Sequence, residues 1–176
     1  MAGPAPIPSG QLSSNSSLST LEGYLGKSVE DFCGKYGSVG DDFNHCAHFV
    51  SHVLSLRIPG AALCSNVGGS QYTYADRHNG YCIRVNQIFN SCQERAYWND
   101  ASGTDEKCFV VATIEDNIES KAPLTIGDMS RKHIGIHLNG MVYNYGNKPD
   151  KVVKKTIAEF KSHYGKGTIL LRADLP

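Results

Sequence analysis

The chain has 176 residues, one domain's worth, which leaves no room for two large ones. Seventeen Lys and Arg balance seventeen Asp and Glu, so the net charge is zero, with neither the basic excess of a nucleic-acid binder nor an acidic tail. Hydrophobic residues make up 40%, enough for a core, and no run approaches the apolar length of a membrane span.

Residues 1–19 are rich in Pro, Gly and Ser and predict a flexible leader, with residues 20–176 as a single domain. They carry neither the basic start nor the apolar centre of a secretory signal. The expected place of synthesis is the cytoplasm, with a non-classical or specialised route if the substrate lies outside. Residues 20–33 predict a short helix capped by Ser28, and residues 34–44 a glycine-rich loop. A helix is predicted from His45 to Leu56, where Cys46, Phe49, Val50, Val53, Leu54 and Leu56 recur mostly at helical spacing, and Pro59-Gly60 ends it. Residues 60–80 read as a surface loop and residues 81–92 as a helix or a mixed segment. CFVVATI at 108–114 is a strand by its β-branched, apolar content. Asn139-Gly140, set between His133–Leu138 and Met141–Tyr145, is a strong hairpin signal. A short helix (Thr156–His163) and a last strand (Thr168–Leu171) follow. Helix first and strands later is an α+β order.

Six cysteines contain no CxxC pair and no zinc-finger Cys/His spacing, which points away from a structural metal. Reduced thiols are the default in a cytosolic protein, and an even count leaves disulfides open after export. His48 and His52 stand at i, i+4, the spacing at which a helix presents two zinc ligands. The Glu of a HExxH motif is missing, and His48, Ser51 and His52 lie opposite the stripe of Phe49, Val50 and Val53. The simpler expectation is a solvated polar face, with no metal and no other cofactor. No P-loop, GxGxxG or GxSxG motif is present. His78 and His163 have no informative context, and Trp98 fits a core anchor as well as a pocket wall.

Cys46 falls in the first turn of its helix, where backbone N–H groups and the helix dipole favour a thiolate. A nucleophilic cysteine also needs a base and a group to orient that base. The hairpin offers both. His133, Gly135 and His137 share one face of their strand, and Ile134, Ile136 and Leu138 the other. A two-residue turn pairs Leu138 with Met141 and Ile136 with Tyr143. It sets Asn144 opposite Gly135, diagonal to both histidines. His133 and His137 are about 13 Å apart at about 3.3 Å per residue, so only one can serve a given sulfur. Strand geometry alone does not choose between them. A Cys at a helix start facing a His and an Asn on adjacent strands is a papain-like arrangement.

Two segments resemble the NlpC/P60 superfamily of cell-wall cysteine peptidases and amidases. DFNHCAHFVSHVL (Asp42–Leu54) is similar to that family's nucleophile helix, closest to amidase-type members with a CxxFVS core. IGDMSRKHIGIHLNG (Ile126–Gly140) is similar to its Gly-Asp followed by His-[VI]-Gly-[VI]. The resemblance implies a papain-like fold in which the nucleophile helix packs on a small antiparallel sheet. It implies Cys46 as nucleophile, His133 as general base and acid, and Asn144 as the residue that orients His133, with His137 as the rival base. It also implies Tyr36 on the oxyanion side, and His45 stands where it could tune the thiol. Asn44-His45-Cys46-Ala47 replaces the family's usual Asp-Cys-Ser-Gly.

The activity so implied is hydrolysis of an amide in peptidoglycan peptides through a thioester. A cognate inhibitor or a secretion apparatus would be the protein partner. Two alternatives stand beside it: a papain-like acyltransferase or hydrolase of another amide or ester, and a catalytically dead binding domain of the same fold. The lecithin:retinol acyltransferase group has a similar Cys-x-His-Phe-Val helix, but its catalytic His precedes the Cys, whereas the nearest upstream histidine here is the adjacent His45.

Overall fold

The computed structural model describes residues 14–33, 45–67, 80–99 and 107–175, with side chains from residue 19 onward. The chain is mixed α+β, built on an antiparallel sheet. Helices α1 (Ser14–Tyr24), α2 (Val29–Phe32), α3 (Cys46–Val53), α4 (Cys64–Val67) and α5 (Val85–Ser91) precede or flank the strands. The six-stranded sheet has the order β1-β8-β2-β5-β6-β7. Its strands are β1 (Arg95–Tyr97), β2 (Cys108–Ile114), β5 (His133–Leu138), β6 (Met141–Gly146), β7 (Lys151–Thr156) and β8 (Thr168–Asp174). A separate ribbon pairs β3 (Ile118–Lys121) with β4 (Leu124–Ile126). Helix α6 (Ile157–Lys161) and a 3-10 turn (Ser162–Tyr164) lie between β7 and β8. Among the described residues no helix is long and apolar enough to cross a membrane.

Strands β2 and β5 are central because their side chains are buried on both faces, as a run such as CFVVATI requires. Asn139 and Gly140 both take positive φ (51° and 75°), the backbone of a two-residue hairpin turn. The resulting register pairs Leu138 with Met141 and Ile136 with Tyr143, as the sequence predicts. Alternation then sorts the sheet into two rows. Phe109, Val111, Ile134, Ile136, Leu138, Tyr143 and Tyr145 join Phe49 and Val50 of α3 in the larger core. Cys108, Val110, Ala112 and Val142 join Phe160 of α6 in a smaller one.

Several elements depart from the sequence expectation or settle what it left open. Helix α1 begins inside the stretch read as leader. Its Ser-rich start has poor helix propensity, but Leu21 is buried and the Tyr24 ring packs on both Phe32 and Phe49 at 5.8 Å. Residues 81–92 resolve to helix α5, and α4 interrupts the expected surface loop. Strand β7 has no counterpart in the sequence reading, since KVVKKT is a Lys-rich edge strand with Val152 as its fully buried anchor. Strand β8 runs three residues beyond the expected end.

Candidate functional site

His133 opens β5, and Asn144 stands on the adjacent β6. Both are fully buried, and His133 Nε2 lies 3.0 Å from Asn144 Oδ1. The Asn144 amide NH2 donates weakly to the Val142 carbonyl at 3.4 Å, which leaves Oδ1 as the acceptor for the imidazole. His133 therefore carries its proton on Nε2 and presents a lone pair at Nδ1. That Nδ1 is buried and makes no hydrogen bond among the described residues. Gly135 makes this closeness possible: a Cβ there would sit 2.5 Å from Val142 Cγ1 and 3.2 Å from the Asn144 Cβ.

Cys46 is the first residue of α3 and is 1% exposed. Its sulfur takes hydrogen bonds from the backbone N–H of Ile134, the residue after His133, and from N–H groups of its own helix start. The body of α3 packs on the Ile134 row, while the His133 ring lies on the opposite face of the sheet. There it stacks on His163 (4.3 Å, 3° between planes) and meets Phe160 at 5.3 Å. Cys46 meets the backbone of Ile134 at the start of β5, while Phe49 and Val50 of the same helix pack on the Ile134 row. The sequence had no means of showing that α6 and its 3-10 turn cover the His133 face.

Burial decides the charges. The Ile134, Ala47 and Cys46 N–H groups and the nearby Lys132 pull the Cys46 thiol down, but burial outweighs them and pushes it up to about 12. The helix start alone leads one to expect a thiolate; desolvation overrides it. Burial first, and then the neighbouring His163, hold His133 down to about 3, against the Asn144 hydrogen bond. The resting pair is a neutral thiol and a neutral imidazole.

The remaining candidates separate. His137 is buried further along β5 with its ring edge-on to Trp98 at 5.2 Å, and Trp98 packs on the smaller core. His45 precedes α3, nearly buried, with its ring 5.5 Å from that of Tyr145 and 6.0 Å from that of His48. Tyr36 and His78 lie outside the described residues. Lys132 is a residue that sequence reasoning missed. It is nearly buried, and its ammonium donates to Asp128 Oδ1 at 2.9 Å and to the Met129 carbonyl at 2.5 Å while its field reaches the thiol. Its place immediately before the strand histidine was the available signal.

The expected solvated face of α3 does not exist. His48 and Ser51 are fully buried, and Ser51 Oγ donates to the Cys82 carbonyl at 2.9 Å. His48 and His52 turn toward Cys33, which follows α2, and Cys64, which opens α4. Four metal-ligating side chains therefore converge where the sequence was read as having no metal. Cys33 and Cys64 come from separate segments on either side of α3, so no contiguous motif announced them. None of the six cysteines is in a disulfide.

Neither a protein-family model, nor a curated protein, nor a solved structure matches this chain.

Proposed function

We propose that the protein is a papain-like cysteine amidase or peptidase that cleaves an amide through a thioester on Cys46, with a peptidoglycan peptide as its substrate. One observation carries this reading: an imidazole oriented by Asn144, its unpaired Nδ1 lone pair buried at the strand end that the Cys46 thiol contacts. The two motifs that resemble the NlpC/P60 superfamily give the substrate class.

In the proposed reaction, Nδ1 of His133 removes the thiol proton as sulfur attacks the carbonyl carbon. Asn144 holds the imidazolium that forms. The oxyanion is received by N–H groups at the start of α3. His133 then returns the proton to the leaving amine, and the thioester remains. Water, deprotonated by the same imidazole, hydrolyses it and frees Cys46. Resting hydrogen bonds of this kind commonly tighten only when substrate is bound. Here substrate has to displace part of the cover over His133 before the two groups can act.

The test is digestion of purified peptidoglycan by the wild type and by Cys46→Ala, with products read by mass spectrometry. Fragments from the wild type alone support the reading, and identical digestion by both overturns it. A second reading, a binding domain of the same fold without catalysis, is favoured by the near-complete burial of Cys46 and its raised pKa. Thiol alkylation separates the two. A catalytic Cys46 reacts faster once substrate is added, and a structural one stays inert until unfolding.

A further inference from the structure

We propose that Cys33, His48, His52 and Cys64 form a structural zinc site that fastens the segments before and after α3 onto that helix. The reading is independent of the proposed catalysis, since Cys46 takes no part in it.

The donor atoms of these four side chains all lie within 4.8 Å of one another. A tetrahedral Zn2+ with Zn–S of about 2.3 Å and Zn–N of about 2.0–2.1 Å needs donors about 3.3–3.8 Å apart, so small rotamer adjustments close the shell. His48 and His52 are one helical turn apart, and their Nε2 atoms already point at a common place, 3.0 Å from each other. The chemistry of the set selects the ion. Two thiols and two imidazoles with no carboxylate suit zinc and exclude the hard cations calcium and magnesium. Four protein donors leave no position open for substrate, which makes the role structural.

The surroundings are those of a metal site. The Tyr81 backbone N–H donates to Cys64 Sγ at 3.3 Å, a bond that stabilises a thiolate. The Phe32 ring stands edge-on to both histidines, at 5.9 Å from His48 and 5.4 Å from His52. Tyr81 covers His52 at 3.8 Å, and the Arg57 guanidinium caps Tyr81 at 4.2 Å. These groups cover part of the cluster, in which His48 and Cys64 are buried and Cys33 and His52 half-buried. The site also explains why α3 turns its polar side inward: bound zinc compensates the burial of His48.

The experiment is elemental analysis of the full-length protein, expressed in zinc-supplemented medium and dialysed against metal-free buffer. We expect one zinc per chain. Cys64→Ser and His48→Gln should each reduce it at least tenfold, with Cys92→Ala unchanged as the control. Should the ligand variants fail to fold, cobalt(II) exchanged into the wild type keeps the proposal falsifiable. The intense visible bands of tetrahedral thiolate-bound cobalt, abolished by added zinc, support it. Metal-free wild type that takes up neither zinc nor cobalt overturns it, as does a Cys33–Cys64 disulfide in freshly purified protein.

Discussion

Helix α3 carries two polar sites that point in different directions. Its first residue, Cys46, reaches the start of β5, where His133 waits on Asn144. Its later residues His48 and His52 turn toward Cys33 and Cys64. In the first site, each titratable group is buried with few opposing charges, and burial drives the thiol and the imidazole to neutrality. In the second, four soft donors share one place, and a neighbouring thiol, two imidazoles and a backbone N–H pull the Cys64 thiol toward its charged form. Desolvation raises both thiols; the outcomes differ because the hydrogen bonds of its neighbours outweigh it at Cys64 and not at Cys46. A buried pair rests uncharged, whereas a converging set of donors can hold a cation.

The comparison can be broken at several points. The largest effect is expected from Cys46→Ala, which should reduce amide hydrolysis by about a thousandfold or more while the melting temperature stays within a few degrees. Equal loss of fold and activity would move Cys46 from chemistry to packing. Next is Cys64→Ser, which should lower the melting temperature by about 10 °C, followed by calorimetry, if the metal contributes a few kcal/mol to folding. Chelation of the wild type should speed amide exchange in α2, α3 and α4 and leave β2 and β8 protected. Asn144→Ala should lower kcat by about a hundredfold with little change in KM, the low end of what a positioned base contributes.

A smaller effect follows from pH. Unfolded His133 takes up a proton below its ordinary value of 6.5, and native His133 does so only near about 3. The unfolded state then binds more protons, so stability falls as pH drops from 6.5 toward about 3, with a slope of at most about 1.4 kcal/mol per pH unit from this group. Denaturant titrations across that range should show a shallower fall for His133→Asn than for the wild type. The smallest effect belongs to Thr156→Ala. The Thr156 side chain accepts from the Glu159 N–H, and Glu159 bonds back to the Thr156 N–H at 2.8 Å, closing a capping box at the start of α6. Its loss should cost about 1 kcal/mol in chemical denaturation. Because Phe160 of α6 covers His133, faster Cys46 alkylation in this variant would show that α6 limits access to the His133 face.

Much of the central sheet was legible because its signals are local. CFVVATI can hardly be anything but a buried strand, and Asn139-Gly140 takes the positive φ values that a tight hairpin needs. The alternation of His133, Ile134, Gly135 and Ile136 placed His133 and Asn144 on one face, where they are hydrogen-bonded. Elements whose stability comes from distant partners were not legible. Helix α1 depends on burial of Leu21, and β7 on pairing with β6. The polar face of α3 was misread for the same reason, since helical spacing shows which residues share a face and not what covers it.

The sequence by itself determined the periodicities, the hairpin register and the row on which each β5 side chain stands, since these follow from backbone geometry over a few residues. Tertiary structure alone decided that α3 lies against the isoleucine row, that α6 closes over His133, and that Cys33 and Cys64 meet His48 and His52. Each of these joins residues far apart in the chain, and their meeting depends on how whole elements bury their apolar faces against one another.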